Sequence, residues 1–386
     1  MNVSQTGHVT RIVSGCTPDE EVAIKTWFRD HIQYMSKRFH IHLTPKFSEV
    51  KDETGKIIGD YKFFNKPHGL KHFLEHFELV HFKDGSFDHE DDILFLIDPD
   101  MALTRPLRSD FSDERETIIA PRRQGENTLA TKVQRGIPFA QTYGLGVQWQ
   151  RFDLDEIAGP DSPAKGVSSQ DGQLYYPVGP PYIGTVHDMY QISLKWTEFV
   201  PRVHAQYPHL LAEMYAFCIA AAHLNLRHQL IDSLMASNPN TGGEAWPLID
   251  KIPQEEMCDF AKRPNHDKYA LPSVVHLCQR YSVGEDWFFG KRKIPHDIYA
   301  CETPLFIEPP NDIAIKYDFK KPPNAKEATR LSPKVINQQT FMVCYLTSLL
   351  NEAAMFYKAN ACSPGTANLE RSRKVVDLFI EYKGNA

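Results

Sequence analysis

The chain has 386 residues, of which 42% are hydrophobic and 24% are charged. This composition is typical of a globular protein that buries a sizeable core, and it excludes a largely disordered chain. The formal net charge of -6 argues against a nucleic-acid groove or an anionic membrane surface as the main partner. Any phosphate group that the protein binds must therefore be held by a few local cations or by a metal ion.

The seven cysteines are scattered, without a CxxC pair or the spacing of a zinc site, so their pattern implies neither a zinc knuckle nor a small disulfide scaffold. Cys258, Cys278 and Cys301 lie close enough in sequence for one bridge, and an odd total leaves at least one thiol unpaired. No signal peptide or membrane span is predicted. The polar start of the chain is compatible with an ectodomain trimmed of an anchor, and otherwise we expect a soluble protein of unknown location.

The first predicted elements are a strand over residues 8–16, which ends at Ser14 and Gly15, and a helix directly after it. Thr17 and Glu20 have the spacing of a capping box, in which each side chain satisfies a backbone N–H at the start of the helix. A strand, a glycine turn and a capped helix are typical of the opening half of a nucleotide-binding α/β unit.

Two short elements, a strand at 41–43 and a hairpin at 51–60, precede a helix predicted over 67–77. That helix has three histidines at i, i+4 and i+8, from His68 to His76, which places them on one face. We disfavour a metal site there, because surface histidines are usually solvated and no carboxylate completes the set.

An apolar run over 93–97 predicts a buried strand that ends at Asp98-Pro99-Asp100. Ligands of open α/β sheets bind at the carboxyl ends of strands, and residues two apart on extended backbone point to the same side. Asp98 and Asp100 can therefore ligate one divalent cation that holds a diphosphate.

Two other interpretations of these aspartates stay open. Asp and Pro both favour turns, so the acidic pair can be a turn or a helix cap without further function. Phosphohydrolases of the haloacid dehalogenase type also use an Asp-x-Asp after an apolar strand, with the first aspartate, here Asp98, as nucleophile. Their motif continues with a small residue and Thr or Val, whereas Met101-Ala102 follow here, and the downstream acidic motif is missing.

The middle of the chain predicts a strand at 118–121 and then a long loop at 155–174, which is rich in Gly, Pro, Ser and Asp. Residues 177–181 contain three prolines and predict rigid, irregular backbone. A helix is expected from about Thr185.

A long helix is predicted over 210–231, with Glu213 inside its apolar run. Burying a carboxylate is costly unless it is paired or used, so Glu213 either bonds an arginine or a backbone amide in the core, or acts in catalysis. Residues 273–277 predict a strand that carries His276, and 336–358 a terminal helix.

Several short segments between about residues 8 and 292 together resemble a known family. They are Thr10-Arg11-Ile12-Val13-Ser14-Gly15, Asn65-Lys66-Pro67, Leu96-Ile97-Asp98-Pro99-Asp100, Tyr143-Gly144-Leu145-Gly146, Pro177-Val178-Gly179, Glu213-Met214-Tyr215-Ala216, His276 and Trp287-Phe288-Phe289-Gly290-Lys291-Arg292. In order and spacing they resemble the peptidyl hydroxyproline O-arabinosyltransferase and peptidyl serine α-galactosyltransferase group. That group has an aspartate where Gly290 stands here, which leaves the sugar and the acceptor open.

The resemblance implies a metal-dependent glycosyltransferase of the GT-A type. We therefore expect an α/β fold with a mixed central sheet flanked by helices over residues 1–300, and a helical C-terminal extension, 301–386, packed on it. The implied reaction moves galactose or arabinofuranose from a UDP-sugar to a hydroxyl of serine or hydroxyproline in a peptide, with retention of configuration. The implied location is the Golgi or the lumen of the endoplasmic reticulum.

The resemblance also implies roles for individual residues. Asp98, Asp100 and His276 would hold Mn²⁺ or Mg²⁺, and an imidazole ligand suits Mn²⁺ better. Glu213 would act at the sugar, either stabilising an oxocarbenium-like transition state or positioning the acceptor hydroxyl. The donor would contact Ser14, Gly15, Asn65, Lys66 and Lys291, and the sugar or acceptor would contact Tyr215 and Trp287. A non-catalytic carbohydrate-binding or peptide-binding module on a transferase fold is the remaining alternative.

Overall fold

The protein is a mixed α/β protein with several small sheets and helices, which confirms the coarse fold class. The computed structural model describes residues 7–112, 130–239, 241–284, 286–316 and 332–375. The predicted strand at 118–121 lies outside these ranges. Two compact units are present, an N-terminal unit within Gln5–Pro99 and Leu107–Asp232, and a C-terminal unit that includes Asp100–Pro106 and the described part of Ser233–Ala386. The domain division expected at residue 300 stays a prediction.

The elements are numbered here in chain order through both units. The strands are β1 Val9–Ser14, β2 Phe39–Thr44, β3 Glu49–Lys51, β4 Ile57–Asp60, β5 Phe82–Lys83, β6 Ser86–Phe87, β7 Ile93–Leu96, β8 Met101–Leu103, β9 Phe139–Thr142, β10 Val178–Thr185, β11 Gln229–Ile231, β12 Met235–Ala236, β13 Val274–His276, β14 Arg280–Val283, β15 Trp287–Gly290, β16 Leu305–Phe306 and β17 Arg371–Arg373. The helices are α1 Pro18–His31, α2 Asn65–His76, α3 Leu154–Ala158, α4 Ser169–Tyr175, α5 Val186–Gln206, α6 Ala212–His223, α7 Trp246–Ile249, α8 Met257–Lys262, α9 Ile313–Lys316 and α10 Pro333–Ala361.

The N-terminal unit is built on a mixed four-stranded sheet of order β11-β9-β10-β7. β10 is antiparallel to both of its neighbours, whereas β11 runs parallel to β9. In the register of β10 with β7, Tyr182 lies opposite Leu96. The predicted strand before Asp98 is therefore confirmed, and it is an edge strand of this sheet.

The start of the chain forms the predicted strand–helix–strand unit. β1 and β2 are parallel, and α1 connects them. The capping box of Thr17 and Glu20 is confirmed, with the Glu20 carboxylate accepting from the Thr17 N–H at 2.8 Å. Gly15 has a φ of +85°, a left-handed conformation that a residue with a side chain rarely adopts, and it turns the chain out of β1.

Helix α2 approaches β1 closely at Gly69. A Cβ atom at this position would lie 3.2 Å from Cγ2 of Ile12, so a larger residue would push the helix away from the strand. This close approach fixes the first turn of α2, which carries Asn65 and Lys66.

Two predictions for the middle of the chain are wrong. The expected loop at 155–174 contains α3 and α4, which are capped by the side chains of Asp153 and Ser168. The segment 177–181 is the start of β10, an inner strand of the sheet. Its register with β9 shifts between Gly179 and Tyr182, and such an irregularity accommodates prolines because they have no N–H to donate.

The core of the N-terminal unit surrounds α5 and α6. The predicted helix from about Thr185 is confirmed as α5, with Thr185 as its N-cap. The helix predicted over 210–231 is too long, because α6 ends at His223, Asn225 adopts a left-handed φ of 54°, and β11 follows.

In the C-terminal unit, β13 is antiparallel to β8 and parallel to β12, and it confirms the strand predicted at 273–277. His276 lies opposite Met101 in this register, which brings it next to Asp100. The terminal helix predicted over 336–358 is confirmed as α10, and β14 and β15 form an antiparallel pair.

Two disulfides link parts of the C-terminal unit, Cys258–Cys344 and Cys301–Cys362. The bridge that the sequence allows among Cys258, Cys278 and Cys301 does not form, because Cys258 and Cys301 bond to Cys344 of α10 and to its C-cap residue Cys362. Cys278 is a free, exposed thiol. Within the described ranges, no helix combines the length and the apolar composition needed to cross a membrane.

Candidate metal centre

Asp98 shares one ammonium group with Glu213 in the N-terminal unit. Nζ of Lys66 lies 2.9 Å from Oδ1 of Asp98 and 2.7 Å from Oε1 of Glu213. The side chains of Lys66 and Asp98 are each 19% exposed, and that of Glu213 is 4% exposed. Three elements position this group: α2 carries Lys66 in its first turn, β7 ends just before Asp98, and α6 carries Glu213 in its first turn.

The backbone of Glu213 is anchored by two aromatic side chains. Its N–H donates to the hydroxyl oxygen of Tyr61 at 3.2 Å, and that hydroxyl donates to the carbonyl of Leu210 at 3.0 Å. Nε1 of Trp196 donates to the carbonyl of Glu213 at 2.6 Å. Position 213 also lies at the amino end of a helix, where the helix dipole favours a carboxylate.

Burial and charge act in opposite directions on this group. Burial raises the pKa of Glu213, and the neighbouring Lys66 only partly offsets that rise. Burial lowers the pKa of Lys66, but the charges of Glu213 and Asp98 outweigh it, so the net shift of its pKa is upward. Lys66 is therefore a charged donor that two carboxyl groups share in a poorly solvated site.

In the C-terminal unit, Asp100 has two basic partners. Nε2 of His276 lies 3.2 Å from Oδ1 of Asp100, and Nζ of Lys291 bonds Oδ2. Burial alone would raise the pKa of Asp100, but its bonds to His276 and Lys291 hold that pKa well below the ordinary range.

Asp98 and Asp100 are separated along the chain by Pro99 alone. One oxygen of each carboxylate and one imidazole nitrogen of His276 lie within 4.8 Å of one another. Two carboxylates and an imidazole are a donor set that suits Mn²⁺ and is acceptable to Mg²⁺. Asp98, Asp100 and His276 thus form a candidate metal-binding triad.

Three of the residues assigned to the donor make local structural bonds. The Ser14 hydroxyl accepts from Oγ1 of Thr44 at 2.7 Å, and the Gly15 N–H donates to the Thr44 carbonyl at 3.0 Å. Oδ1 of Asn65 accepts from the N–H of Phe47 at 3.0 Å. These bonds organise the end of the β1–β2 pair and the segment that follows it, and a role in donor binding stays a prediction.

The two aromatic residues assigned to the sugar or acceptor have packing contacts. Tyr215 is buried, with its ring edge-on to that of Phe152. Trp287 lies in β15, and Nζ of Lys374 lies over its ring, 5.8 Å from the centroid. At Gly290 in the same strand, a Cβ atom would lie 2.8 Å from the ring of Phe288. The aspartate that the resemblance would place there therefore does not fit unless that ring moves.

The predicted histidine face of α2 is present, and its histidines contact neighbouring histidine rings. His72 and His76 stack with ring centroids 4.2 Å apart, and Nδ1 of His72 lies 2.9 Å from Nε2 of His42 in β2. Within the part of the chain that the structure describes, the triad of Asp98, Asp100 and His276 is the one group of three or more such ligands close enough to share an ion.

Sequence reasoning missed several residues around Glu213. Tyr61 and Trp196 hold its backbone, and neither stands in a recognisable motif. Gly179 is in contact with Tyr143, since a Cβ atom at 179 would lie 2.3 Å from Cδ2 of that ring. Two of the segments that carry the family resemblance therefore pack directly on each other.

No protein-family model matches the chain, and no curated protein matches it significantly. The relation to the peptidyl glycosyltransferases thus stays a prediction, supported here only by the residues quoted for it and by the geometry of the triad.

Proposed function

We propose that this protein is a metal-dependent glycosyltransferase of the GT-A type. It would transfer galactose or arabinofuranose from a UDP-sugar to a hydroxyl of serine or hydroxyproline in a peptide, with retention of configuration. The observation that carries this proposal is the triad of Asp98, Asp100 and His276, in which each aspartate also has a lysine partner.

The two lysines give the site the charge pattern of a diphosphate-binding centre. Lys66 neutralises Asp98, and Lys291 neutralises Asp100. Once the two carboxylates serve as metal ligands, both ammonium groups become available to anionic oxygens, which lysine binds as a mobile point charge. A divalent ion, when bound, would supply stabilisation of the charge that develops on the leaving diphosphate.

Glu213 is the candidate catalytic residue, which would act next to the reacting carbon of the sugar. Its carboxylate and that of Asp98, a proposed metal ligand, bond the same Lys66 ammonium. A buried carboxylate in this position can stabilise positive charge on the sugar ring or orient the acceptor hydroxyl. Burial excludes water from this carboxylate, which strengthens either interaction.

The disulfides support a location in the secretory pathway. Such bonds persist in oxidising compartments and are rare where glutathione and thioredoxin keep thiols reduced. Two of them occur in the C-terminal unit. We therefore propose the lumen of the endoplasmic reticulum or the Golgi.

The experiment that tests this function measures UDP release from UDP-galactose, UDP-arabinofuranose, UDP-glucose and UDP-N-acetylglucosamine, each with Mn²⁺ and with a chelator. We expect slow, metal-dependent hydrolysis of one donor, followed by transfer to peptides rich in serine or hydroxyproline. Asp98→Asn and Asp100→Asn should each abolish release, whereas Asp155→Asn, which removes an exposed carboxylate paired with Lys165, should not.

Release of no UDP from any donor, together with no UDP binding by calorimetry, would contradict the proposal. Phosphatase activity that is lost in Asp98→Asn would instead favour the phosphohydrolase interpretation. Glycan or peptide binding that survives both aspartate substitutions, without turnover, would favour a binding module.

A further inference from the structure

Two buried polar atoms close to the shared lysine have no hydrogen-bond partner among the residues that the structure describes. They are Oε2 of Glu213 and the hydroxyl of Tyr182. The two residues are 3% and 0% exposed, so neither atom is hydrated by bulk solvent. An unpaired buried polar group is unfavourable and rare in folded proteins, and it calls for a specific explanation.

The fold brings these two side chains to the same place. Phe217 lies one helical turn after Glu213 in α6, and the ring of Tyr182 stacks on the ring of Phe217 with centroids 4.0 Å apart. Tyr182 also lies opposite Leu96 in β7, two residues before Asp98. Burial and, after it, the charge of Glu213 raise the pKa of Tyr182 well above its ordinary value, which keeps the hydroxyl a neutral O–H donor.

Buried aromatic rings pack around the ring of Tyr182. The ring of Trp196 contacts Phe217 edge-on at 5.0 Å and lies 6.1 Å from Tyr182, while its Nε1 holds the backbone of Glu213. Tyr182, Phe217 and Trp196 are each 0% exposed. The Tyr182 ring therefore packs beside Trp196, the side chain that also bonds the backbone of Glu213.

We propose that Tyr182 is a positioning residue whose hydroxyl donates a hydrogen bond to Glu213 when Lys66 is drawn away to an anionic ligand. Lys66 satisfies Oε1 of Glu213 and bonds Asp98 as well. When that ammonium turns to a phosphate, the buried carboxylate loses its only cation among the described residues, and a neutral O–H donor next to it keeps it oriented. The inference rests on the proposed function only for the identity of the anion, a diphosphate.

The test needs no substrate, because Lys66→Met removes the ammonium permanently. Thermal unfolding is measured for the unaltered chain, Tyr182→Phe, Lys66→Met and the double variant. In the otherwise unaltered chain, we expect Tyr182→Phe to change the melting temperature by less than about 1 °C. In the Lys66→Met background, where the hydroxyl would be the donor to Glu213, we expect the same substitution to lower the melting temperature of that variant by about 2–4 °C. Tyr190→Phe, which removes a hydroxyl bonded to Glu75, is the matched control and should give equal shifts in both backgrounds.

A purely structural hydroxyl at 182 would lower the melting temperature equally with and without Lys66, and that result would overturn the inference. This cycle is independent of donor chemistry, so absence of UDP release combined with the expected coupling would reject the proposed function alone.

If Lys66→Met does not fold, the dissociation constant of manganese pyrophosphate replaces the melting temperature as the measured quantity. We expect Tyr182→Phe to bind this probe about tenfold more weakly than the unaltered chain, since a hydrogen bond to a charged group contributes about that factor. Equal dissociation constants, or no binding to the unaltered chain, would overturn the inference.

Discussion

The ammonium of Lys66 lies 2.7 Å from Oε1 of Glu213, although the two residues are 147 positions apart in the chain. The same nitrogen bonds Asp98, so the starts of α2 and α6 and the end of β7 are tied together by one cation. Removing one partner of such a buried group leaves an uncompensated charge, which costs far more than an exposed ion pair contributes.

Lys66→Met should therefore destabilise the protein strongly. We expect a loss of about 3–5 kcal/mol in the free energy of unfolding, measured by chemical denaturation. Lys71→Met on the same helix removes a partly exposed pair with Glu75, whose atoms lie 3.8 Å apart, and should cost less than about 1 kcal/mol. Similar losses for the two variants would show that the Lys66 ammonium does not balance the buried carboxylates.

Gly179→Ala should destabilise the N-terminal unit through its contact with Tyr143. The added Cβ would lie 2.3 Å from the ring, closer than any real contact, so the ring or strand β10 must move. Overpacking of this kind costs about 1–3 kcal/mol. Gly144→Ala is the control, because a Cβ there meets nothing within 4 Å. Combining Gly179→Ala with Tyr143→Ala should cost less than the sum of the two single losses, and strict additivity would contradict the contact.

Lys291→Met should separate metal binding from diphosphate binding. Without the ammonium on Oδ2 of Asp100, Mn²⁺ alone should bind more tightly, because it no longer competes with a lysine. UDP in the presence of Mn²⁺ should bind about tenfold more weakly, since a charge-assisted hydrogen bond is lost. Calorimetry measures both constants, and Lys268→Met, which removes an exposed partner of Glu256, serves as control. Weaker binding of the metal alone would contradict the arrangement.

Acidification should destabilise the contact between β2 and α2 at His42. Burial and the positive charges that His72 and His76 acquire lower the pKa of His42 from its ordinary 6.5 to about 4. The unfolded chain then binds more protons than the folded chain between these values, so stability is retained above about pH 6.5 and falls towards pH 4. The loss from this one group is on the order of 3 kcal/mol.

The measurement is the free energy of unfolding of the unaltered chain and of His42→Gln between pH 7.5 and 4. The two curves should converge as the pH falls, because the variant has no imidazole to protonate at this buried position. His89→Gln, at an exposed position, controls for loss of a histidine in general. Parallel curves for the unaltered chain and His42→Gln would contradict this origin of acid sensitivity.

Features that depend on neighbouring residues could be predicted from the sequence. The capping box of Thr17 and Glu20 and the strand before Asp98 are confirmed, because a helix cap and an apolar run are determined within a few residues. The partner of Glu213 could not be predicted in this way. Lys66 was expected to bind phosphate, and its bond to Glu213 arises only when the first turns of two distant helices come together.

The wrong predictions also have physical causes. After α6, apolar residues such as Leu224, Leu226 and Leu230 recur between polar ones, and periodicity over so few residues cannot separate the end of a helix from the strand that follows. Prolines in a sequence argue against an inner strand, and β10 accommodates them because its register with β9 is irregular. The helices α3 and α4 are too short to show a repeating apolar pattern, although Asp153 and Ser168 are ordinary cap residues.

The two disulfides of α10 bear on how the protein has to be made. Cys344 and the C-cap residue Cys362 connect this helix to Cys258 and Cys301, so a bacterial cytoplasm would yield a chain without either link. During oxidative refolding, the exposed thiol of Cys278 can attack a correct bond and exchange with it. Recombinant production should therefore use an oxidising host, and Cys278→Ser should raise the yield of correctly paired protein.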